Sequence, residues 1–252
     1  MRIGAHVPSG HPLEEASRRD ADVVQIFLSS PHRWRPPLER ADAGTLRNAE
    51  IPIYVHAPYL INVVSTNPRV RNSSTGLLAE TVRAAERIGA VGVVVHGGHA
   101  TGNATVEEGL ARWEKVLKSI ESPLPILIEN TAGGDSAMAR SVHDLARLWE
   151  SIGDLGVGLC LDTCHAWAAG EDLEDLVSRV LSATGRIDFV HANDSKDGLG
   201  SRRDRHTNLG DGQVPVGLLI HVIRAAGAPV VVETPGGAEA QAADIAWIRE
   251  RL

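Results

Sequence analysis

The chain has 252 residues, 43% of them hydrophobic, which is long enough to bury a sizeable core. Its formal net charge of -7 argues against a simple cationic nucleic-acid-binding protein. No apolar run is long enough to span a bilayer, no secretory h-region precedes the first strand-like run, and two cysteines, Cys160 and Cys164, exclude a disulfide framework. We therefore expect a soluble cytoplasmic protein, with one domain over residues 1–252 because no linker marks a boundary.

Apolar runs of strand length alternate with amphipathic stretches of helix length along the whole chain. The predicted strands lie near residues 2–5, 22–28, 51–55, 91–95, 125–128, 157–161, 187–190 and 229–232. Eight strand–helix units of this kind predict parallel strands joined by crossover helices, and eight is the number that closes a (β/α)8 TIM barrel.

The helical stretches carry buried stripes and end signals. The stripes, with spacings of three and four residues, are Leu78, Val82, Ala85 and Ile88 in one helix, and Val142, Leu145, Ala146, Trp149 and Ile152 in another. Four glycines that follow helical patterns predict left-handed helix caps: Gly89, Gly153, Gly185 and Gly227. Thr105 and Glu108 predict a capping box at the start of a helix that runs toward Ile120.

Six successive strands are followed by a residue that can bind a metal ion. These residues are His56, His96, Glu129, Asp162, His191 and Glu233. The carboxyl ends of parallel barrel strands all open on one face, which is where such barrels carry their chemistry. Polar residues placed there by accident would include Lys, Arg, Ser, Asn and Gln, and none of these occurs at the six positions. We therefore expect a metal site at the carboxyl ends of the strands.

Three further residues extend this set. His165 follows Asp162 by three residues, and Asp204 and His206 lie two apart in the loop after the seventh predicted strand. One zinc ion takes about four ligands including a water, so nine protein ligands imply more than one metal ion and fit three if a carboxylate bridges.

The remaining histidines have simpler interpretations. His143 and His221 lie within helical patterns and His11 at a helix start, so all three are expected to be surface or satisfied core residues. His6 and His99 lie nearer the predicted site, where a supporting role and simple proximity are equally consistent with the sequence. The default interpretation of the two cysteines is a pair of buried thiols without a ligand role.

Several stretches together resemble the signature blocks of the endonuclease IV family of abasic-site endonucleases. They are VHAPYLIN at 55–62, HGGH at 96–99, IENTAG at 128–133, LDTCHA at 161–166, HANDSK at 191–196, DRH at 204–206, LGDG at 209–212 and VETP at 232–235. The resemblance covers nearly the whole chain in the family's order.

The resemblance implies a trinuclear zinc site on a TIM barrel, with these ligands divided among three ions. The first would be held by His56, His96 and Glu129, the second by Glu129, Asp162, His191 and Glu233, and the third by His165, Asp204 and His206. Glu129 and Glu233 would be catalytic, with a metal-bridging hydroxide as the nucleophile, and Mn2+ could replace Zn2+ at one site. Three Zn2+ ions would also make the acidic ligand set net positive, which answers the objection from the chain's charge.

The implied reaction is hydrolysis of the phosphodiester 5′ to an abasic site in double-stranded DNA, with 3′-phosphodiesterase activity. We expect a monomer, because nothing in the sequence demands a larger assembly. Tyr59 matches a family position that fills the gap left by a missing base. His32 stands where the family commonly has arginine, and Arg33 follows it. With Arg205, these residues are the candidate DNA contacts.

Two other functions remain open at this point. One is a sugar isomerase or epimerase, because related barrels of the same superfamily use a single divalent metal on strand-end Glu, Asp and His. The other is a non-catalytic barrel that binds DNA or stores metal.

Overall fold

The barrel is built from short apolar segments that pair as parallel strands. A computed structural model describes residues 1–100, 104–134 and 136–252. Numbered in chain order, the barrel strands are β1 (Ile3–His6), β2 (Val24–Phe27), β3 (Ile53–His56), β4 (Gly92–His96), β5 (Ile126–Glu129), β6 (Gly158–Asp162), β7 (Phe189–His191) and β10 (Val230–Val232). Each strand pairs with its sequence neighbour in the barrel, and β10 closes the ring against β1. The predicted eight-stranded TIM barrel is confirmed.

Helices surround this barrel. They are α1 (Pro12–Arg18), α2 (Ala43–Arg47), α3 (Pro68–Arg87), α4 (Val106–Ser119), α5 (Val142–Ile152), α6 (Thr163–Ala169), α7 (Leu176–Thr184), α8 (Val216–Ala226) and α9 (Gly237–Arg249). Between β7 and α8, the short strands β8 (Asp194–Ser195) and β9 (His206–Thr207) form an antiparallel pair that the sequence did not predict. In the three described ranges, no helix combines the length and apolar character needed to cross a membrane.

One face of each barrel strand points inward, because successive side chains in a strand alternate between the two faces. The inward side chains form one buried layer: Val23, Tyr54, Val94, Leu127, Cys160, Phe189 and Val231. Tyr54 and Phe189 stack within it, with ring centroids 3.8 Å apart. Gly4 takes part in the close approach of β1 to β2, since a Cβ there would lie 1.7 Å from the Val23 carbonyl oxygen.

The helix signals were mostly correct. Gly89, Gly185 and Gly227 have left-handed φ values of 70°, 73° and 64°. The prediction for Gly153 was wrong: its φ is -56°, because the chain continues from α5 into a 3-10 turn, and Gly156 takes the left-handed position at 77°. Both predicted stripes face the core except for Ala146, which is only partly buried, and Leu148 joins the second stripe.

Helix starts were predicted less completely. Thr105 caps α4 as expected, because its hydroxyl accepts a hydrogen bond from Glu108 N at 3.2 Å. The reciprocal capping box lies instead at α5, where Ser141 and Asp144 bond to each other's main-chain nitrogens. Aspartate can serve in place of the glutamate that the sequence rule favours, which is why this box was missed.

Candidate metal centre

The candidate ligands form the next inward layer of the barrel, above the apolar one. The six candidate ligands at the strand ends each lie two residues after a side chain of that layer, as Glu129 follows Leu127 and His191 follows Phe189. Because residues i and i+2 of a strand share a face, the pleat carries the predicted strand-end residues into one cleft. His56, His96, Glu129, Asp162 and His191 are each the last residue of a strand, and Glu233 directly follows β10.

The first group consists of His56, His96 and Glu129, whose ligand atoms lie within 4.8 Å of one another. The Nε2 atoms of His56 and His96 lie 3.1 and 3.2 Å from Glu129 Oε2. His56 Nδ1 donates a hydrogen bond to the main-chain oxygen of Ala57 at 2.7 Å. That bond places the proton on Nδ1 and directs the Nε2 lone pair into the cleft.

The second group consists of Glu129, Asp162, His191 and Glu233. His191 Nδ1 lies 3.1 Å from Glu129 Oε1 and 3.4 Å from Glu233 Oε2. The two oxygens of Glu129 therefore face two different groups, which is the geometry of a bridging carboxylate. Glu129 has no exposed surface, so a cation between these groups would be shielded from bulk water.

The third group is formed around His206, which β9 brings over the cleft. His165 Nε2 and His206 Nε2 lie 3.2 and 3.1 Å from Asp204 Oδ1. Asp162 adjoins the same two histidines and thus links the second and third groups. Asp204 is the most open member, with its side chain 52% exposed.

The Cys164 thiol also lies within 4.8 Å of the ligand atoms of Asp204 and His206. Burial raises the pKa of Cys164 to about 12. A protonated thiol is a poor ligand, since the thiolate is the form that binds metals. This agrees with the interpretation of Cys164 as a buried thiol.

Two buried nitrogen atoms indicate that these residues are suited to binding a cation. His165 Nε2 and His206 Nε2 have no hydrogen-bond partner within the described ranges, although both approach Asp204 Oδ1. His165 Nδ1 donates to Asn130 O at 2.9 Å, so Nε2 is the nitrogen atom that can present a lone pair to a cation once its proton is displaced. Buried polar atoms without partners are rare, and an ion is one of the recognised explanations. Imidazole and carboxylate donors are those that Zn2+ prefers.

The charges of the carboxylates are maintained by the histidines. Burial penalises ionised Glu129, but the imidazoles of His96 and His191 outweigh this penalty and hold its pKa well below the usual range. Burial also opposes ionisation of Glu233, yet His191 and His6 lower the pKa of that carboxyl group. Both carboxylates are therefore ionised at neutral pH and available to a cation.

Two histidines of the third group hold protons strongly when no cation competes. Burial disfavours the charged form of His165, but Asp162 and Asp204 outweigh it and raise its pKa well above the usual value. For His206, burial is likewise outweighed by Asp204 and Asp162, and the pKa rises. Metal ions and protons bind the same nitrogen atoms, so these shifts make metal binding dependent on pH.

Amide side chains that the sequence analysis did not single out support the ligands. Asn193 Nδ2 donates to Asp162 Oδ2 at 2.7 Å, and Glu233 N donates to Asn193 Oδ1 at 2.8 Å. Asn130 exchanges two hydrogen bonds with the main chain of Asp162. Both asparagines follow strand ends within the quoted motifs, and that position was the available signal.

The remaining histidines divide as their positions suggest. His6 bonds to Glu233 Oε1 through Nδ1 at 2.8 Å, which favours the supporting role over simple proximity. His99 is exposed and contacts Asn62 through its main chain. The side chains of His11, His143 and His221 are exposed.

The residues predicted to contact DNA lie in two places. Tyr59, 44% exposed, stacks over His96 with ring centroids 5.7 Å apart, and the His32 ring lies 5.7 Å from Tyr59. Arg33 is exposed one residue further on. Arg205 is also exposed, but its guanidinium group is engaged by Asp197, with Nε 2.6 Å from Oδ2.

Comparisons with known proteins show which chains this one is similar to. Residues 13–251 match the family described as xylose isomerase-like TIM barrel. The chain is 54% identical to the probable endonuclease 4 of Mycobacterium bovis (strain BCG / Pasteur 1173P2) over 251 residues, covering 100% of this chain and 99% of the relative. The probable endonuclease 4 of Mycobacterium leprae (strain TN) is 53% identical over the same length, with the same coverage.

Solved structures give the same result. Endonuclease IV from Thermus thermophilus matches with a TM-score of 0.87 at 32% identity, covering 100% of this chain and 98% of that one. A D-tagatose 3-epimerase-like protein matches with a TM-score of 0.81 over 100% of this chain and 97% of its own, but at 18% identity it supports the fold alone. The full-length similarity to the named endonucleases shows that the chain belongs to the endonuclease IV family.

Proposed function

We propose that this protein hydrolyses the phosphodiester bond 5′ to an abasic site in double-stranded DNA. The products would be a 3′-hydroxyl and a 5′-deoxyribose phosphate. The observation that carries the proposal is the arrangement of Glu129, whose two oxygens face two candidate metal groups while Asp162 links the second group to a third. A single-metal reaction has no need of the third group.

Three Zn2+ ions are the cofactor we propose, with Mn2+ able to replace zinc in the third and most exposed group. The first would be held by His56, His96 and Glu129, the second by Glu129, Asp162, His191 and Glu233, and the third by His165, Asp204 and His206. When bound, such ions would lower the pKa of a water molecule for attack on phosphorus and would stabilise charge on the leaving oxygen and the phosphoryl group.

The protein's own groups fix where that reaction occurs. Glu129 is fully buried and keeps the first two groups at a fixed separation. Glu233 Oε1 bonds to His6 and Gln25, while Oε2 faces the second group. We assign Glu233 the role of orienting the attacking water, because one of its oxygens is fixed and the other is directed into the cleft.

We assign recognition of the missing base to the rings of Tyr59 and His32, which lie at the exposed end of the cleft. Tyr59 packs edge-on against Phe27 and His56, with centroid separations of 5.2 and 5.4 Å, so its ring is supported from below. A supported and partly exposed ring can stack in the gap where a base is absent. His32 adjoins Tyr59 and would complete the wedge, while Arg33 and Arg205 would contact backbone phosphates.

A duplex oligonucleotide with one tetrahydrofuran abasic mimic tests the proposal. Zinc-loaded protein should cut once, 5′ to the lesion, and leave an end that a polymerase can extend. The same duplex without the lesion should stay intact, and Glu233→Gln should lose most of the activity. An uncut lesion strand after incubation with fully metallated protein would overturn the proposal.

Two further properties belong to the same proposal. We expect removal of blocking groups from 3′ ends, because the same cleft would then accept a terminal phosphodiester. A 3′-blocked primer annealed to a template would become extendable after treatment with the protein. We also expect a monomer, since the nine candidate ligands come from one chain, and light scattering would test this.

A further inference from the structure

Gln25 is a polar side chain inside the barrel that the sequence analysis passed over. It lies in β2, two residues after the inward apolar residue Val23, and has no exposed surface. The pleat therefore carries it into the same layer as the candidate ligands. A buried amide needs partners for both its oxygen and its nitrogen, because an unpaired one costs stability.

Both ends of the Gln25 amide bond to candidate metal ligands on other strands. Its Nε2 donates to Glu233 Oε1 at 2.8 Å, and its Oε1 accepts from His191 Nε2 at 3.0 Å. The direction of each bond is fixed by chemistry. An ionised carboxylate has only acceptors, so the NH2 group must face Glu233 and the carbonyl oxygen must face the imidazole.

The consequence for His191 is a fixed tautomer. Since Nε2 carries the proton that it donates to Gln25, a metal ion would displace the other proton, on Nδ1, and would bind the Nδ1 lone pair on the side where Glu129 Oε1 and Glu233 Oε2 lie 3.1 and 3.4 Å away. The consequence for Glu233 is that its two carboxylate oxygens have different partners. His6 Nδ1, at 2.8 Å, and Gln25 both bond to Oε1, which leaves Oε2 for the second group.

We propose that Gln25 is a positioning residue for the second metal group, its single amide setting both the tautomer of His191 and the oxygen that Glu233 offers. This inference deepens the proposed function and rests on it for the identity of the reaction, although the effect on metal binding stands by itself. Hydrogen-bond partners of metal ligands orient those ligands, and their loss typically costs about 10–100-fold in metal affinity or activity.

Gln25→Met tests this, because methionine has a similar length and no hydrogen-bonding amide. In a competition between metal-free protein and a chromophoric chelator for Zn2+, we expect one binding step to weaken by about 10–100-fold and the other two to keep their affinities. Cleavage of the abasic duplex should lose a similar factor in kcat with little change in KM.

A second readout detects the bond to His191 directly. In zinc-loaded wild-type protein, the Nε2 proton of His191 should give a nitrogen-coupled NMR signal that exchanges slowly with water, and Gln25→Met should lose this signal.

Gln241→Met is the matched control, because the buried amide of Gln241 bonds to Arg19 and to main-chain oxygens instead of ligand side chains. It should leave both the zinc affinities and the NMR signal unchanged. Gln25→Asn has a side chain one methylene shorter, which should not reach His191 and Glu233 at the same time. It provides a second variant if the Gln25→Met protein does not fold.

The outcomes separate this inference from the proposed function. Wild-type zinc affinity in folded Gln25→Met, or a wild-type protein in which His191 Nε2 carries no proton, would overturn the role of Gln25. Wild-type protein that leaves abasic DNA uncut, while Gln25→Met still weakens one zinc step, would overturn the proposed reaction and support the positioning role.

Discussion

Glu129→Gln should weaken two of the candidate metal groups at once. In the wild-type protein, Glu129 Oε2 lies 3.1 and 3.2 Å from His56 Nε2 and His96 Nε2, and Oε1 lies 3.1 Å from His191 Nδ1. Glutamine preserves the shape of the side chain but replaces one oxygen by an NH2 group, which has no lone pair to offer a cation.

The size of the effect follows from this geometry. Loss of a hydrogen-bond partner outside the ligands costs about 10–100-fold in affinity, so loss of a direct ligand should cost at least about 100-fold, or about 2.7 kcal/mol. That loss should fall on the group that faces the new nitrogen atom. The group facing the remaining oxygen loses a full negative charge and should weaken by about tenfold or more.

The assay is a zinc titration of metal-free protein in competition with a chromophoric chelator. Asp204→Asn is the matched control, since Asp204 contacts His165 and His206 and should weaken the third group alone. Three zinc ions bound to Glu129→Gln with wild-type affinity would refute the bridging role. So would an Asp204→Asn variant that weakens all three steps equally.

Other predictions address the core, the third metal group and the mouth of the cleft. Phe189→Ala should lower the free energy of unfolding by about 3–5 kcal/mol in a denaturant titration, because the ring is fully buried and stacked on Tyr54, whereas the exposed Leu181→Ala should change it by less than about 0.5 kcal/mol. An equally small loss of unfolding free energy in Phe189→Ala and Leu181→Ala would contradict the packing described for Phe189. Because burial is outweighed by carboxylates that raise the pKa of two imidazoles in the third group, zinc affinity there should fall as pH decreases through a window above the ordinary histidine value of 6.5. The same raised pKa values stabilise the metal-free protein fully below pH 6.5, and this contribution should be lost as pH rises through the folded-state values, so zinc affinity and metal-free stability should change in opposite directions. Zinc affinity that is independent of pH between about 9 and 6 would count against this reasoning. Tyr59→Ala should weaken binding of the abasic duplex by roughly 5–150-fold, the equivalent of about 1–3 kcal/mol of stacking, with zinc content unchanged and Tyr59→Phe close to wild type. Unchanged duplex binding by the alanine variant would remove Tyr59 from the recognition site.

The barrel and the convergence of its ligands could be predicted because both follow from local pattern. Strand-length apolar runs give the fold, and the pleat alone places Glu129 above Leu127 and His191 above Phe189. Residues that lie far apart in sequence then meet because parallel strands share one open end. The division of Glu129 between two groups came only from family resemblance, since no spacing in the chain encodes the direction of a carboxylate.

The features that were missed depend on contacts between distant segments. Gln25 interrupts an otherwise apolar strand, and this was its only signal in the sequence; its two partners follow β10 and end β7. Gly153 was expected to end a helix in the left-handed conformation, but the 3-10 turn moves that role to Gly156. The β8–β9 pair, which brings His206 over the cleft, involves only two residues on each side and produces no periodic pattern.

Anomalous diffraction at the zinc absorption edge, from crystals of the protein grown with Zn2+, would test the central claim most directly. We predict three peaks in one cleft, two of them on either side of Glu129 and the third beside Asp204 and His206. A single peak at the carboxyl ends of the strands, with the third group empty, would contradict the account and favour the one-metal chemistry of a sugar isomerase or epimerase.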